Sequence, residues 1–143
     1  LRALRDATQI AAVVTQPDRP AGRGQKLQPT PVKIVASELG IEVLAPESVR
    51  EIVPQLRGLD ADVFVVASYG EILSQVVLDI PRAGAFNVHP SLLPLYRGAT
   101  PLQSQIRDGC TVTGVTIIAM DAGMDTGAIL IREQVPLDAR ETY

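Results

Sequence analysis

The chain has 143 residues, 46% apolar and 20% charged, with one cysteine, one histidine and a formal net charge of -3. This balance excludes a disordered chain, a coiled coil, a collagen-like repeat and a disulfide scaffold, and one Cys with one His cannot build a metal cluster. Apolar runs such as residues 10–14 are far shorter than the roughly 20 residues of a membrane-spanning helix, no signal peptide is visible, and the lone thiol suits the reducing cytoplasm. Charge is unevenly spread: residues 1–40 carry six Lys and Arg against three Asp and Glu, on a body that is otherwise acidic. A basic segment of this kind suits a local anionic partner.

In chain order, residues 1–5 read as the tail of a helix, with Leu1 and Leu4 three apart. Residues 9–15 are β-branched and apolar and read as a buried strand. Residues 16–29 hold three prolines and two glycines, a density that predicts no regular structure. Thr30-Pro31 reads as an N-cap and first helical residue, and Gly40 as the stop. Residues 41–44 form a short strand, and Ser48 with Glu51 has the spacing of a capping box opening a helix that Pro54 ends or kinks. Residues 62–67 read as the clearest buried strand, residues 74–78 as a short helix and residues 85–89 as another strand. A loop to Gly98, a helix over 101–108 and strands over 113–120 and 128–132 follow. Strands alternating with helices predict an α/β fold, a Rossmann-like and mostly parallel sheet with helices on both faces. A helix tail at Leu1 with no strand to feed it predicts that a first strand is missing and an apolar sheet edge exposed.

Asn87 and His89 lie two apart on a strand, so both side chains share one face at its carboxyl end, where open α/β sheets bind ligands. An amide N–H beside an imidazole suits the stabilisation of an oxyanion; a hydrogen-bonded histidine at a strand end is the bland alternative. Asp121-Ala122-Gly123-Met124-Asp125-Thr126-Gly127 follows a strand and reads as a tight loop whose Asp could orient the lone His or accept a proton, or as an ordinary turn. It lacks the closing Glu of a calcium loop. Arg19, Arg23 and Lys26, spaced by glycines, suit phosphate contacts or form a solvated charged loop. Cys110 reads as a small structural residue.

Asn87-Val88-His89-Pro90-Ser91-Leu92-Leu93-Pro94, with Asp125-Thr126-Gly127, resembles the formyltransferase family that uses 10-formyltetrahydrofolate. The resemblance runs from about Val13 to Leu130. It implies a catalytic trio of Asn87, His89 and Asp125. It assigns folate contacts to Ser91, Leu92, Leu93 and Pro94, and to Tyr69, Gly70 and Asp121. Residues 15–24 resemble the members that formylate the amine carried by initiator methionyl-tRNA, which implies tRNA contacts at Arg19, Arg23 and Lys26. Tyr96-Arg97-Gly98-Ala99 and Gly114-Val115-Thr116-Ile117 point the same way. The co-substrate is then 10-formyltetrahydrofolate, whose formyl amide is already activated, so no metal is expected; nor is a membrane. A monomer is expected of the full-length protein. The family's first strand with its Gly-Thr-Pro turn would precede Leu1, and a β-barrel tRNA-binding domain would follow Tyr143. Residues 1–143 therefore read as a catalytic domain truncated at its N-terminus. Gly109-Cys110 departs from the usual Gly-Asp. Members acting on glycinamide ribonucleotide or a sugar nucleotide, and a non-catalytic folate-binding domain, are the rival readings.

Overall fold

The computed structural model describes residues 1–22, 24–138 and 140–142, and the chain divides into two units, Leu1–Ala61 and Asp62–Tyr143. In the first, helix α1 (Arg2–Ala7) precedes β1 (Val13–Val14), which pairs in parallel with β4 (Val43–Leu44). Helix α2 (Pro31–Glu38) lies between them in sequence. Thr30 Oγ1 accepts from Lys33 N at 3.2 Å and lies 2.8 Å from Thr15 Oγ1, so one hydroxyl caps the helix and ties it to the end of β1. Gly40, at φ +67, ends the helix, and the Ile41 N–H returns to Ala36 O at 2.9 Å. A 3-10 turn (Val49–Ile52) runs into α3 (Val53–Gly58). Val13, Ala36, Val49, Ile52 and Leu56 are buried and form this unit's core. Each large aliphatic side chain among them contributes about 1.5–3 kcal/mol.

Two expectations are corrected here. The Pro- and Gly-rich stretch holds an antiparallel ribbon of β2 (Arg19–Ala21) and β3 (Lys26–Gln28). Gly22 and Gln25, both at positive φ, make its turn, and a two-stranded ribbon accommodates Pro20 because its missing N–H faces outward. Pro54 neither ends nor kinks a helix. It sits in the first turn of α3, where the absent N–H has no intrahelical partner to lose. Ser48 Oγ accepts from Arg50 N at 3.4 Å.

The second unit is a four-stranded sheet in the order β5 (Phe64–Val66), β6 (Ala85–His89), β7 (Val112–Ala119), β8 (Ile129–Pro136). Helix α4 (Gln75–Leu78) connects β5 to β6, which pair in parallel as expected for a βαβ unit. Helix α5 (Pro101–Arg107) lies between β6 and β7, which pair antiparallel, as do β7 and β8. The segment joining β7 to β8 is too short for a helical crossover, which needs about a dozen residues. The α/β architecture stands, with parallel pairing among the described residues confined to β1–β4 and β5–β6. Leu73, Val77, Leu78, Ala85, Leu93 and Ile118 make the core. Strand β5 is less buried than its apolar run implies: Val65 is 45% exposed, and β5 lies at the edge of this sheet. Strand β8 is exposed along its whole length.

Candidate active site

On β7, Gly114, Thr116 and Ile118 alternate inward. Thr116 stands opposite His89 and Ile118 opposite Asn87, so these four share one sheet face. A Cβ at Gly114 would strike Leu92 and the Glu133 carbonyl, so only glycine lets the 91–94 segment fold back over β7. Thr116 Oγ1 donates to Ser91 O at 2.6 Å and accepts from Leu93 N at 3.1 Å. Arg132 Nη1 donates to Leu93 O at 3.0 Å. Gln105 on α5, 2% exposed, donates from Nε2 to Pro90 O at 2.9 Å and Pro101 O at 3.0 Å, and accepts from Thr113 Oγ1.

Held this way, the chain leaves His89, turns, and comes back to it. The Tyr96 carbonyl lies 2.8 Å from His89 Nε2. A carbonyl only accepts, so Nε2 carries the donated proton. The other ring nitrogen, Nδ1, is 3.5 Å from Asp125 Oδ2. Asp125 Oδ1 accepts from Asn87 Nδ2 at 3.1 Å, and its Oδ2 accepts from Gly98 N at 2.9 Å. The His89 side chain is 4% exposed and that of Asp125 12%, so these interactions act with weak screening.

The loop carrying Asp125 is shaped by Asp121, whose Oδ1 accepts from Gly123 N at 2.9 Å and Thr126 Oγ1 at 2.7 Å. A Cβ at Gly127 would collide with the Ala119 carbonyl. Beside the trio opens a cavity of about 420 Å³, a volume typical of small-molecule sites. Its lining includes Tyr69, Gly70, Asn87, His89, Asp121 and Asp125, with apolar walls from Ile72, Leu102 and Met124. Burial and the neighbouring Glu71 carboxylate push the Tyr69 phenol above its ordinary range.

Six of the residues picked from sequence thus meet at one cavity. Ser91, Leu92, Leu93 and Pro94 are not among its lining residues: Ser91 and Leu93 are buried, and Ser91 Oγ donates to Leu95 O at 2.7 Å. Arg19 and Lys26 lie in the first unit. The register pairing Arg19 with Gln28 and Ala21 with Lys26 puts both cations on one face of the ribbon. Arg19 is 3.5 Å from Glu47, and Lys26 is exposed. Arg23 lies outside the described residues. The sequence reading missed Gln105, the Tyr96 carbonyl and the Gly98 N–H. Cys110, read as structural filler, has its Sγ 3.1 Å from the Tyr96 hydroxyl. Among the described residues, no group of three or more His, Cys, Asp or Glu could hold a metal ion, and no helix is long and apolar enough to cross a membrane.

The α/β sheet carries an Asn–His–Asp cluster beside a ligand-sized cavity, and comparison with known proteins gives the class of the domain. The chain belongs to the formyl transferase family, whose profile matches residues 1–143. It is 54% identical over 145 residues to the methionyl-tRNA formyltransferase of Chromohalobacter salexigens, covering 99% of this chain and 45% of that protein. It is 50% identical over 142 residues to the methionyl-tRNA formyltransferase of Geobacter metallireducens, covering 98% and 46%. The chain therefore spans about half the length of these relatives. Among solved structures, phosphoribosylglycinamide formyltransferase from Bacillus halodurans is similar at a TM-score of 0.77 and 29% identity, over 98% of this chain and 74% of that one.

Proposed function

We propose that this chain carries the formyl-transfer centre of an enzyme that moves a formyl group from 10-formyltetrahydrofolate to the α-amine of initiator methionyl-tRNA, in the cytoplasm. The observation that carries the reading is the convergence of Asn87, His89 and Asp125 at one cavity. The relatives at about half identity favour the tRNA acceptor over the small amine acceptors of other formyltransferases.

The neutral α-amine attacks the formyl carbon, and the carbonyl oxygen becomes an oxyanion. Asn87 has two amide N–H groups; one is given to Asp125, and the other is the directed donor for the oxyanion. From sequence, His89 was expected to donate directly. With Nε2–H committed to Tyr96, its part is to hold Asp125 in place through the Nδ1 contact. Asp125, directly or through a water, takes the proton the amine loses. Proton return to N10 of the folate lets the leaving group depart. Tyr69, Gly70 and Asp121 offer polar contacts at the rim, and the apolar walls suit a flat heteroaromatic ring.

Asp125→Asn and His89→Ala should each lower kcat for formyl transfer by about a hundredfold or more, the loss expected when charge stabilisation at an oxyanion is removed. Near-normal turnover in either variant defeats the proposal. An acceptor assay with initiator methionyl-tRNA against glycinamide ribonucleotide and a sugar-nucleotide amine identifies the acceptor.

A further inference from the structure

We infer that Gln105 is a positioning residue that holds the imidazole of His89 in its Nε2–H form. The inference rests on the formyl-transfer reading only for its kinetic readout. Pro90 immediately follows His89. Its carbonyl is gripped by Gln105 Nε2 at 2.9 Å. The second Nε2 hydrogen goes to Pro101 O at 3.0 Å, and Oε1 accepts from Thr113 Oγ1. Every hydrogen of the amide is used, and the residue is 2% exposed, so the group has no freedom to flip. Gln105 thereby joins three segments: the exit from β6, the first turn of α5, and the start of β7.

The exit from β6 begins the loop whose far end, the Tyr96 carbonyl, receives His89 Nε2–H. That carbonyl fixes which ring nitrogen faces Asp125. Thr116 and Ser91 hold the middle of the loop. Gln105 holds its origin and ties it to α5, which also supplies Pro101 and Leu102 to the cavity wall. Without this amide the Pro90 carbonyl loses its donor from α5, the loop drifts, and the Tyr96 carbonyl leaves the ring. Small misplacements of a catalytic group cost up to about a hundredfold in rate while leaving substrate affinity largely alone.

Residues 1–143 hold one histidine, and the signal that disappears in His89→Gln is assigned to its ring. The test is Gln105→Met, which keeps the length of the side chain and loses both donors. Thr113→Val is the comparison, because it breaks the same network on the acceptor side and leaves the bond to Pro90. Nitrogen-15 NMR of the imidazole, denaturation curves, and kcat and KM for formyl transfer are measured on the wild-type protein and both variants. Gln105→Met is expected to lower kcat by about tenfold or more with KM for the formyl donor within about threefold, and to lose the Nε2–H signature. Thr113→Val should lose stability yet keep signature and kcat. The inference is overturned if Gln105→Met retains both per folded molecule, if the two variants lose activity only in proportion to stability, or if the wild-type ring is protonated at Nδ1 alone. Failure of Gln105→Met to fold also overturns it, since the residue would then serve the core. A wild-type protein that shows the Nε2–H signature but no formyl transfer counts against the proposed function and not against this role.

Discussion

Asp125 accepts from two segments, Asn87 on β6 and Gly98 in the following loop, and its Oδ2 lies 3.5 Å from the ring of His89, also on β6. It does so from a left-handed backbone conformation, φ +53, which Asp tolerates better than most residues. Tyr96, at φ +57, is a second such position, and its strain is held in place by groups at both ends. Its carbonyl meets His89, and its hydroxyl meets Cys110. The bond to Cys110, with burial and the nearby Asp108 carboxylate, pushes the phenol from 10.0 up to about 12. The raised value means that the folded state holds the neutral phenol more tightly than the unfolded chain does. Stability from this group is therefore complete below pH 10 and is lost as pH climbs towards about 12. Denaturation across that range should show a decline that Tyr96→Phe flattens; an equally steep decline in the variant removes Tyr96 as its source.

Among the elements, α2 shows how one short motif sets a junction. Thr30 caps the helix and also meets Thr15 at the end of β1. Thr30→Ala should cost about 1–2 kcal/mol, at the upper end for an N-cap because a second hydrogen bond goes with it, as read from urea denaturation. A loss below about 0.3 kcal/mol would mean that neither bond contributes. This cap was legible in the sequence because Thr-Pro is a local signal. So were Asn87 and His89, because a spacing of two on a strand fixes a common face, and Asp125, because flanking glycines mark a loop. The Tyr96 carbonyl and Gly98 N–H were not, since every residue carries the same backbone groups. Gln105 is the same letter whether buried or on a surface, and only the fold distinguishes the two. The β2–β3 ribbon was missed because proline density signals turns without saying that the flanking residues can still pair.

For the molecule as a whole, charge separates by segment: the net negative chain carries its excess of cations in residues 1–40. Asp18 is already matched by Lys33 at 2.7 Å, and Arg19 lies near Glu47. Lys26, on the ribbon face it shares with Arg19, is exposed. Under the proposed reading, Lys26→Ala weakens initiator tRNA binding and reduces the slope of log affinity against log salt by about 1, as expected for one phosphate contact. Arg19→Ala does less, because Glu47 competes for that guanidinium. Filter-binding titrations over a salt series measure both, and an unaltered slope for Lys26→Ala excludes it from phosphate contact.

The segment that departs from His89 and closes on the same ring makes the spacing along the chain itself a determinant of chemistry. Removing or adding a single residue between Pro90 and Leu95 would withdraw the capping oxygen altogether, whereas exchanging one side chain for another leaves it in reach. Tolerance to length change should therefore be lowest on this segment, the reverse of what loops ordinarily permit.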